Sequence, residues 1–113
     1  MEMKVTDGAD GIVDVALIGR LDTPGVGRIE LRFTATLVPR AARAIIDLSQ
    51  VEFIGSMGIR MFISVARALS NKRGKMVLYA PQALVKQVLD TVSLGEIIAV
   101  TPDAASALAA VHS

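Results

Sequence analysis

Cysteine is absent from all 113 residues. That single gap removes disulfide scaffolds, thiol nucleophiles, thiolate zinc sites and redox pairs. Histidine is almost as scarce, with only His112 next to the C-terminus. A Ser-His-Asp triad and a multi-histidine metal site are thereby ruled out, and His112 reads as a frayed, solvated end residue. The formal net charge is only +1. Acids and bases are mixed along the chain, no like-charge block reaches the length of a nucleic-acid-binding arm, and nucleic acid is not an expected partner. No apolar run approaches the roughly 20 residues that cross a bilayer. The opening Met-Glu-Met-Lys-Val-Thr also lacks the basic-then-apolar pattern of a signal peptide. The expectation is one soluble cytoplasmic domain over residues 1–113, with no membrane insertion, catalytic residue, metal or cofactor.

What the chain does have is a periodicity that switches repeatedly between strand and helix, the pattern of an α/β layer architecture. Residues 3–6 and 12–18 read as paired strands across Asp7 and Gly8, the second broken by Gly19-Arg-Leu-Asp-Thr-Pro-Gly. Val26, Ile29, Phe33, Leu37 and Val38 fall at helical spacing, and Pro39 ends that helix. Residues 44–48 are apolar except for Asp47, as in a central strand covered on both faces. From about 57 to 71 a second helix turns Phe62, Val65, Ala66 and Leu69 inward and Arg60, Ser64, Arg67 and Asn71 outward. Lys72 and Arg73 complement its negative pole, and Gly74 is expected to take the left-handed C-terminal turn. Residues 76–79 read as a strand. Pro81 is expected to begin a third helix with Leu84, Val85, Val88 and Leu89 as its apolar stripe and Lys86 and Asp90 pointing away. Residues 97–100 form a short buried strand after Gly95, and Thr101-Pro102-Asp103 starts a final helix to about residue 111.

The stretch Asp47-Leu-Ser-Gln-Val-Glu-Phe-Ile-Gly-Ser-Met-Gly-Ile-Arg60 carries the chemistry. Ser56 stands where a helix opens. A hydroxyl there suits two roles, a simple N-cap or a phosphoacceptor whose phosphate is stabilised by free backbone N–H groups and the helix dipole. Ser49 ends a strand, and Ser64 and Ser70 lie inside a formed helix, so Ser56 is the candidate acceptor. Asp47 reads most simply as a residue bonding adjacent loop backbone.

In the order of its elements and in that central motif, over nearly its whole length, the chain resembles the STAS domain of bacterial anti-sigma factor antagonists. The resemblance implies a small mixed β-sheet with about four α-helices packed mainly on one side. It also implies partner switching: the unphosphorylated antagonist binds an anti-sigma factor that is also a serine kinase, and phosphorylation ends that binding, with a PP2C-type phosphatase expected to reverse it. The family serine corresponds to Ser56, the following glycine to Gly58, and the aliphatic residue under the helix to Ile59. Asp22 matches an acidic residue often found in the neighbouring loop, although a plain turn role fits it equally. Gly55 departs from the acidic residue that precedes the serine in many regulated members, and Met57 from a small hydroxyl residue. Gly55 permits a backbone conformation closed to other residues, and Met57 offers a soft exposed contact. The expected partner surface comprises Asp22, Gly55, Met57, Gly58, Arg60 and Arg67, with solvated surface the plainer role for Arg67.

Two further readings follow from the same residues. A constitutive STAS accessory subunit of a cytoplasmic, lipid-trafficking ABC-type transport complex would need no acid before Ser56. A small enzyme holding a metal or phosphate on Asp22, Asp47 and Ser56 lacks any visible base or second nucleophile.

Overall fold

The computed structural model describes residues 1–8 and 10–113. The chain runs β1 (Glu2–Asp7), β2 (Ile12–Leu21), α1 (Thr23–Leu37), β3 (Arg43–Ile54), α2 (Ser56–Asn71), β4 (Lys75–Tyr79) and α3 (Ala83–Thr91). A 3-10 turn (Leu94–Glu96), β5 (Ala99–Thr101) and α4 (Ala104–His112) complete it. The five strands lie side by side in sequence order. β1 and β2 form an antiparallel hairpin, whereas β2, β3, β4 and β5 pair in parallel. Parallel neighbours need crossover connections, which α1, α2 and the α3 segment supply.

β3 occupies the middle of the sheet. Ala44, Ile45, Ile46 and Leu48 are all buried, as expected of a strand covered on both faces. It nevertheless runs six residues beyond the expected 48, to Ile54. Two register shifts explain why alternation fails to reveal this extension: Ala16 and Ile18 pair with Asp47 and Gln50, and Gly19 and Arg20 with Val51 and Phe53. Each shift inserts one extra β3 residue and resets which side chains point inward. At the second shift Gly19 has φ +117°, a conformation that strains other residues.

The helices divide unequally between the two faces. One large core joins α1, α2 and α3 to the sheet through residues such as Val15, Leu17, Phe33, Ile46, Phe62, Leu69, Leu78 and Leu89. On the opposite face α4 alone packs Ala107 and Val111 against Ile12, Ile45, Val77 and Tyr79. Three helices to one is the mixed α/β arrangement expected.

Several local expectations shift. After α2 it is Arg73 that takes positive φ, at 67°, not Gly74. Gly74 is needed for space, since a Cβ there would stand 2.6 Å from the Ala42 carbonyl oxygen. The third helix begins at Ala83 rather than Pro81, and Gln82 precedes it as N-cap. Only Val85 and Leu89 of its stripe are buried; Leu84 is 71% exposed and Val88 is also exposed. The last strand begins two residues and ends one residue later than expected, after the 3-10 turn, and its three residues are half-buried rather than buried. His112 belongs to α4, with Nε2 lying 3.4 Å from Asp10 Oδ2, and is not frayed.

α2 presents the face expected of it. Phe62, Val65 and Leu69 are buried, joined by Met61, while Ala66 is half-buried. The Phe62 ring meets Phe33 of α1 edge-on, with centroids 6.0 Å apart and an interplanar angle of 64°, locking the two helices together. Phe62→Ala is expected to cost about 3–5 kcal/mol through lost burial and the cavity left behind. Denaturant melts of the purified variant measure this, and a loss below about 1 kcal/mol would contradict the packing.

Candidate functional site

Because β2 and β3 run parallel, their C-terminal ends meet at the same edge of the sheet, and each leads directly into a helix. The Gly55 N–H donates to the Leu21 carbonyl at 3.0 Å, closing the ladder and setting the two helix starts side by side. Asp22 follows Leu21 and caps α1: its Oδ1 accepts from the Gly25 N–H at 2.8 Å. A Cβ at Gly25 would collide with the Arg20 carbonyl, so glycine lets the first turn of α1 fold back onto β2. The other Asp22 oxygen faces Arg20 Nε at 3.4 Å. Donation from Gly25, helped by the Arg20 guanidinium, holds the Asp22 carboxyl below the usual carboxylate range. Asp22 is thus an N-cap rather than a plain turn residue.

The start of α2 differs from the simple capped helix considered above. Gly55 is its N-cap, no side chain caps it, and its first turn holds no acid. Ser56 is the first helical residue and is exposed, so capping does not account for it. By helix geometry the backbone N–H groups of residues 56–58 lack intrahelical acceptors and point outward with the positive dipole end. Gly55 has φ −107° and ψ −174°, extended values open to any residue, so backbone freedom is not its reason. A Cβ at position 55 would stand 3.3 Å from Cε2 of the Phe53 ring, which would have to shift slightly to admit it.

Phe53 is 39% exposed, an unusual place for a phenyl ring. The second register shift turns it outward opposite Arg20, while Val51 and Ile54 both remain buried. The Arg20 guanidinium carbon lies 4.5 Å from the ring centroid. Such a stack at an exposed position contributes about 0.5–1 kcal/mol. Sequence reasoning missed both residues. Their signal, an Arg-Leu-Asp strand end facing an aromatic on the next strand, is hidden by the register shift.

Met57 is half-buried against the core, not exposed as expected, and Ile59 packs beneath the helix. Gly58 lies under the surface rather than on it. A Cβ there would meet Ile54 Cγ1 at 2.9 Å and Leu21 Cβ at 3.1 Å, so its role is to let α2 approach the sheet. Arg60 and Arg67 are exposed on the outer side of α2, about 10 Å apart along its axis. A cleft of about 330 Å³ borders the site on the α1 side, with Arg20, Asp22 and Arg28 in its wall.

The candidate triad of Asp22, Asp47 and Ser56 does not assemble. Asp47 Oδ1 accepts from the Ser49 N–H at 2.9 Å within the first register shift, bonding nearby backbone as expected. On the α4 face Tyr79 donates to the Asp14 carboxylate at 3.1 Å. Burial, first of all, raises the pKa of both groups. No group of three or more His, Cys, Asp or Glu side chains among the described residues is placed to hold a metal ion. Among them, too, no helix is long and apolar enough to cross a membrane.

A family model of the STAS domain matches residues 2–107. The chain belongs to the STAS domain family. Its relatives agree. BtrV of Bordetella bronchiseptica, named as a candidate anti-sigma factor antagonist, is 28% identical over 89 residues, spanning 78% of this chain and 77% of its own. The crystal structure of an anti-sigma factor antagonist from Mycobacterium paratuberculosis superposes with a TM-score of 0.87 at 25% identity, covering 99% of this STAS domain and 94% of that chain. The antagonist SpoIIAA of Bacillus shares the fold at 20% identity in both of its recorded forms. The unphosphorylated form gives a TM-score of 0.79 with 98% and 96% coverage. The phosphorylated form gives 0.70 with 97% and 99%.

The Asp22 cap also makes the site sensitive to acid. Its carboxyl titrates lower in the folded STAS domain than in the unfolded chain, so in that range the unfolded state binds more protons. The stabilisation is complete above the ordinary carboxylate pKa of about 3.9 and disappears as pH falls through the lowered folded value. Asp22→Asn keeps a capping oxygen but cannot titrate. Its stability in urea between about pH 5 and pH 2 should therefore fall less steeply than that of the parent; equal slopes would contradict the assignment.

Proposed function

We propose that this STAS domain is a non-enzymatic anti-sigma factor antagonist that works by partner switching in the cytoplasm. Unphosphorylated, it binds an anti-sigma factor that is also a serine kinase. Phosphorylation of Ser56 ends that binding, and a PP2C-type phosphatase restores it. The observation that carries this reading is Ser56 itself, an exposed hydroxyl on the first residue of an uncapped sixteen-residue helix. A phosphate there gains from the helix N-terminus, so it need not disturb the fold. Instead it adds about two negative charges to the docking surface. The same fold holds both unphosphorylated and phosphorylated SpoIIAA, which supports a switch that acts on the surface.

The docking surface is built from Ser56, the exposed side of Met57, Asp22 and Arg60, with Gly55 and Gly58 setting its height. Arg67 extends it along α2. Incubation with the cognate kinase and ATP, followed by mass spectrometry, is expected to place the label on Ser56 alone. Ser56→Ala should then bind the partner constitutively and Ser56→Asp should bind weakly, both with unchanged melting behaviour. Label at Ser49, Ser64 or Ser70, or none from a kinase shown to be active, would overturn the switch and favour a constitutive accessory role.

The arginines are tested separately. Two guanidinium groups on one side of a helix suit carboxylates on a partner. Reversing the charge at Arg60 and Arg67 together should weaken binding to the anti-sigma factor in titration calorimetry by about tenfold or more. Unchanged affinity would place the interface on another face.

A further inference from the structure

Two exposed arginines flank the start of α2, Arg60 one turn beyond Ser56 and Arg20 on the Phe53 ring beside Gly55, and the first turn of that helix carries no carboxylate. One oxygen of Asp22 accepts from the Gly25 N–H, and the other faces Arg20 Nε. Arg60 lies four residues beyond Ser56, the spacing that brings two side chains together on a helix surface. It is exposed and has no carboxylate partner among the described residues. On the strand side, the Arg20 guanidinium carbon lies 4.5 Å from the Phe53 ring centroid, and the Cε2–Cζ edge of that ring lies beside Gly55. Its tie to Asp22 is long, at 3.4 Å, and well solvated, with side-chain exposures of 56% and 34%.

We propose that Arg20 and Arg60 form a clamp within the domain that receives the phosphate of phosphorylated Ser56. This rests on the reading of Ser56 as the phosphoacceptor. A phosphoserine offers three acceptor oxygens and nearly two charges, against one charge on Asp22, and guanidinium groups match it in geometry as well as sign. Exposed ion pairs such as Arg20–Asp22 are weak, so exchange of partners meets little resistance. Arg20 then leaves Asp22 and lifts from Phe53, while Arg60 folds back along α2 toward the phosphate. Phosphorylation thereby does more than add negative charge. It withdraws two basic groups that an acidic partner surface would use and uncovers an aromatic ring.

The clamp can be tested without any kinase by installing phosphoserine at position 56 during synthesis of the full chain. The second ionisation of the phosphate is then followed by phosphorus NMR in the parent, Arg20→Gln, Arg60→Gln, the double variant and Arg67→Gln. All three arginines are exposed, and amide spectra confirm that each variant keeps the fold. The parent phosphate should titrate about half a unit or more below that of an unstructured phosphoserine peptide. Each single variant at Arg20 or Arg60 should recover part of that shift and the double variant should remove the arginine contribution, whereas Arg67→Gln, further along α2, should change nothing. Identical titration in every form would overturn the proposal, as would an Arg20→Gln variant indistinguishable from the parent. Failure of a kinase to modify Ser56 would count against the switch and leave this result standing; a solvated, unclamped phosphate would count against the clamp and leave the switch standing.

Discussion

The site depends on one backbone contact, the donation from Gly55 N–H to the Leu21 carbonyl at 3.0 Å. It is the last rung between two parallel strands, and both α1 and α2 start from it. Asp22 and Ser56 are each one residue past a partner in that bond, which is why they are neighbours despite 33 intervening residues. Glycine at two further positions makes the junction tight. Gly25 lets α1 close on the Arg20 carbonyl, and Gly58 lets α2 settle on Leu21 and Ile54. The surface features are therefore held by buried small residues, whose own atoms offer little to a partner.

The two helix starts differ in a way that suits different duties. α1 carries its own carboxylate cap and is electrostatically satisfied. α2 begins with glycine and a serine that does not cap it, leaving its positive end open to water. A helix in that condition forgoes about 1 kcal/mol relative to a capped one, a small local deficit that a phosphate would reverse. Neighbouring elements thus contrast a helix start with a structural anion, Asp22, and one with none, where the proposed phosphate would sit.

Much of the fold was legible because the helical faces are clean. The stripe Phe62, Val65 and Leu69 and the run 44–48 are set by burial periods that tertiary packing does not override. The site was legible only in part. Ser56 stood out by its position after a strand run, but Phe53 and Arg20 did not, because two extra residues in β3 break the alternation that would have placed them on one face. Conformational reasons were expected at Gly55 and Gly74 and only a family match at Gly58; at Gly58 and Gly74 the structure gives close approach by parts of the chain distant in sequence. Such contacts leave no periodic trace. The exposed Leu84 and Val88 show the complementary limit: an apolar stripe predicts a helix, and packing decides how much of it the core accepts.

The unequal covering of the sheet carries a separate consequence. α4 is short and alanine-rich, and it reaches the sheet chiefly through Ala107 and Val111. Side chains so small bury little area, and the free energy that seats α4 is correspondingly modest. Besides that packing, Arg43 donates to the Val111 carbonyl at 3.0 Å and His112 faces Asp10, and α4 is expected to open ahead of the three-helix face. The edge that bears Ser56 is built on that other face and is expected to keep its shape through such an opening.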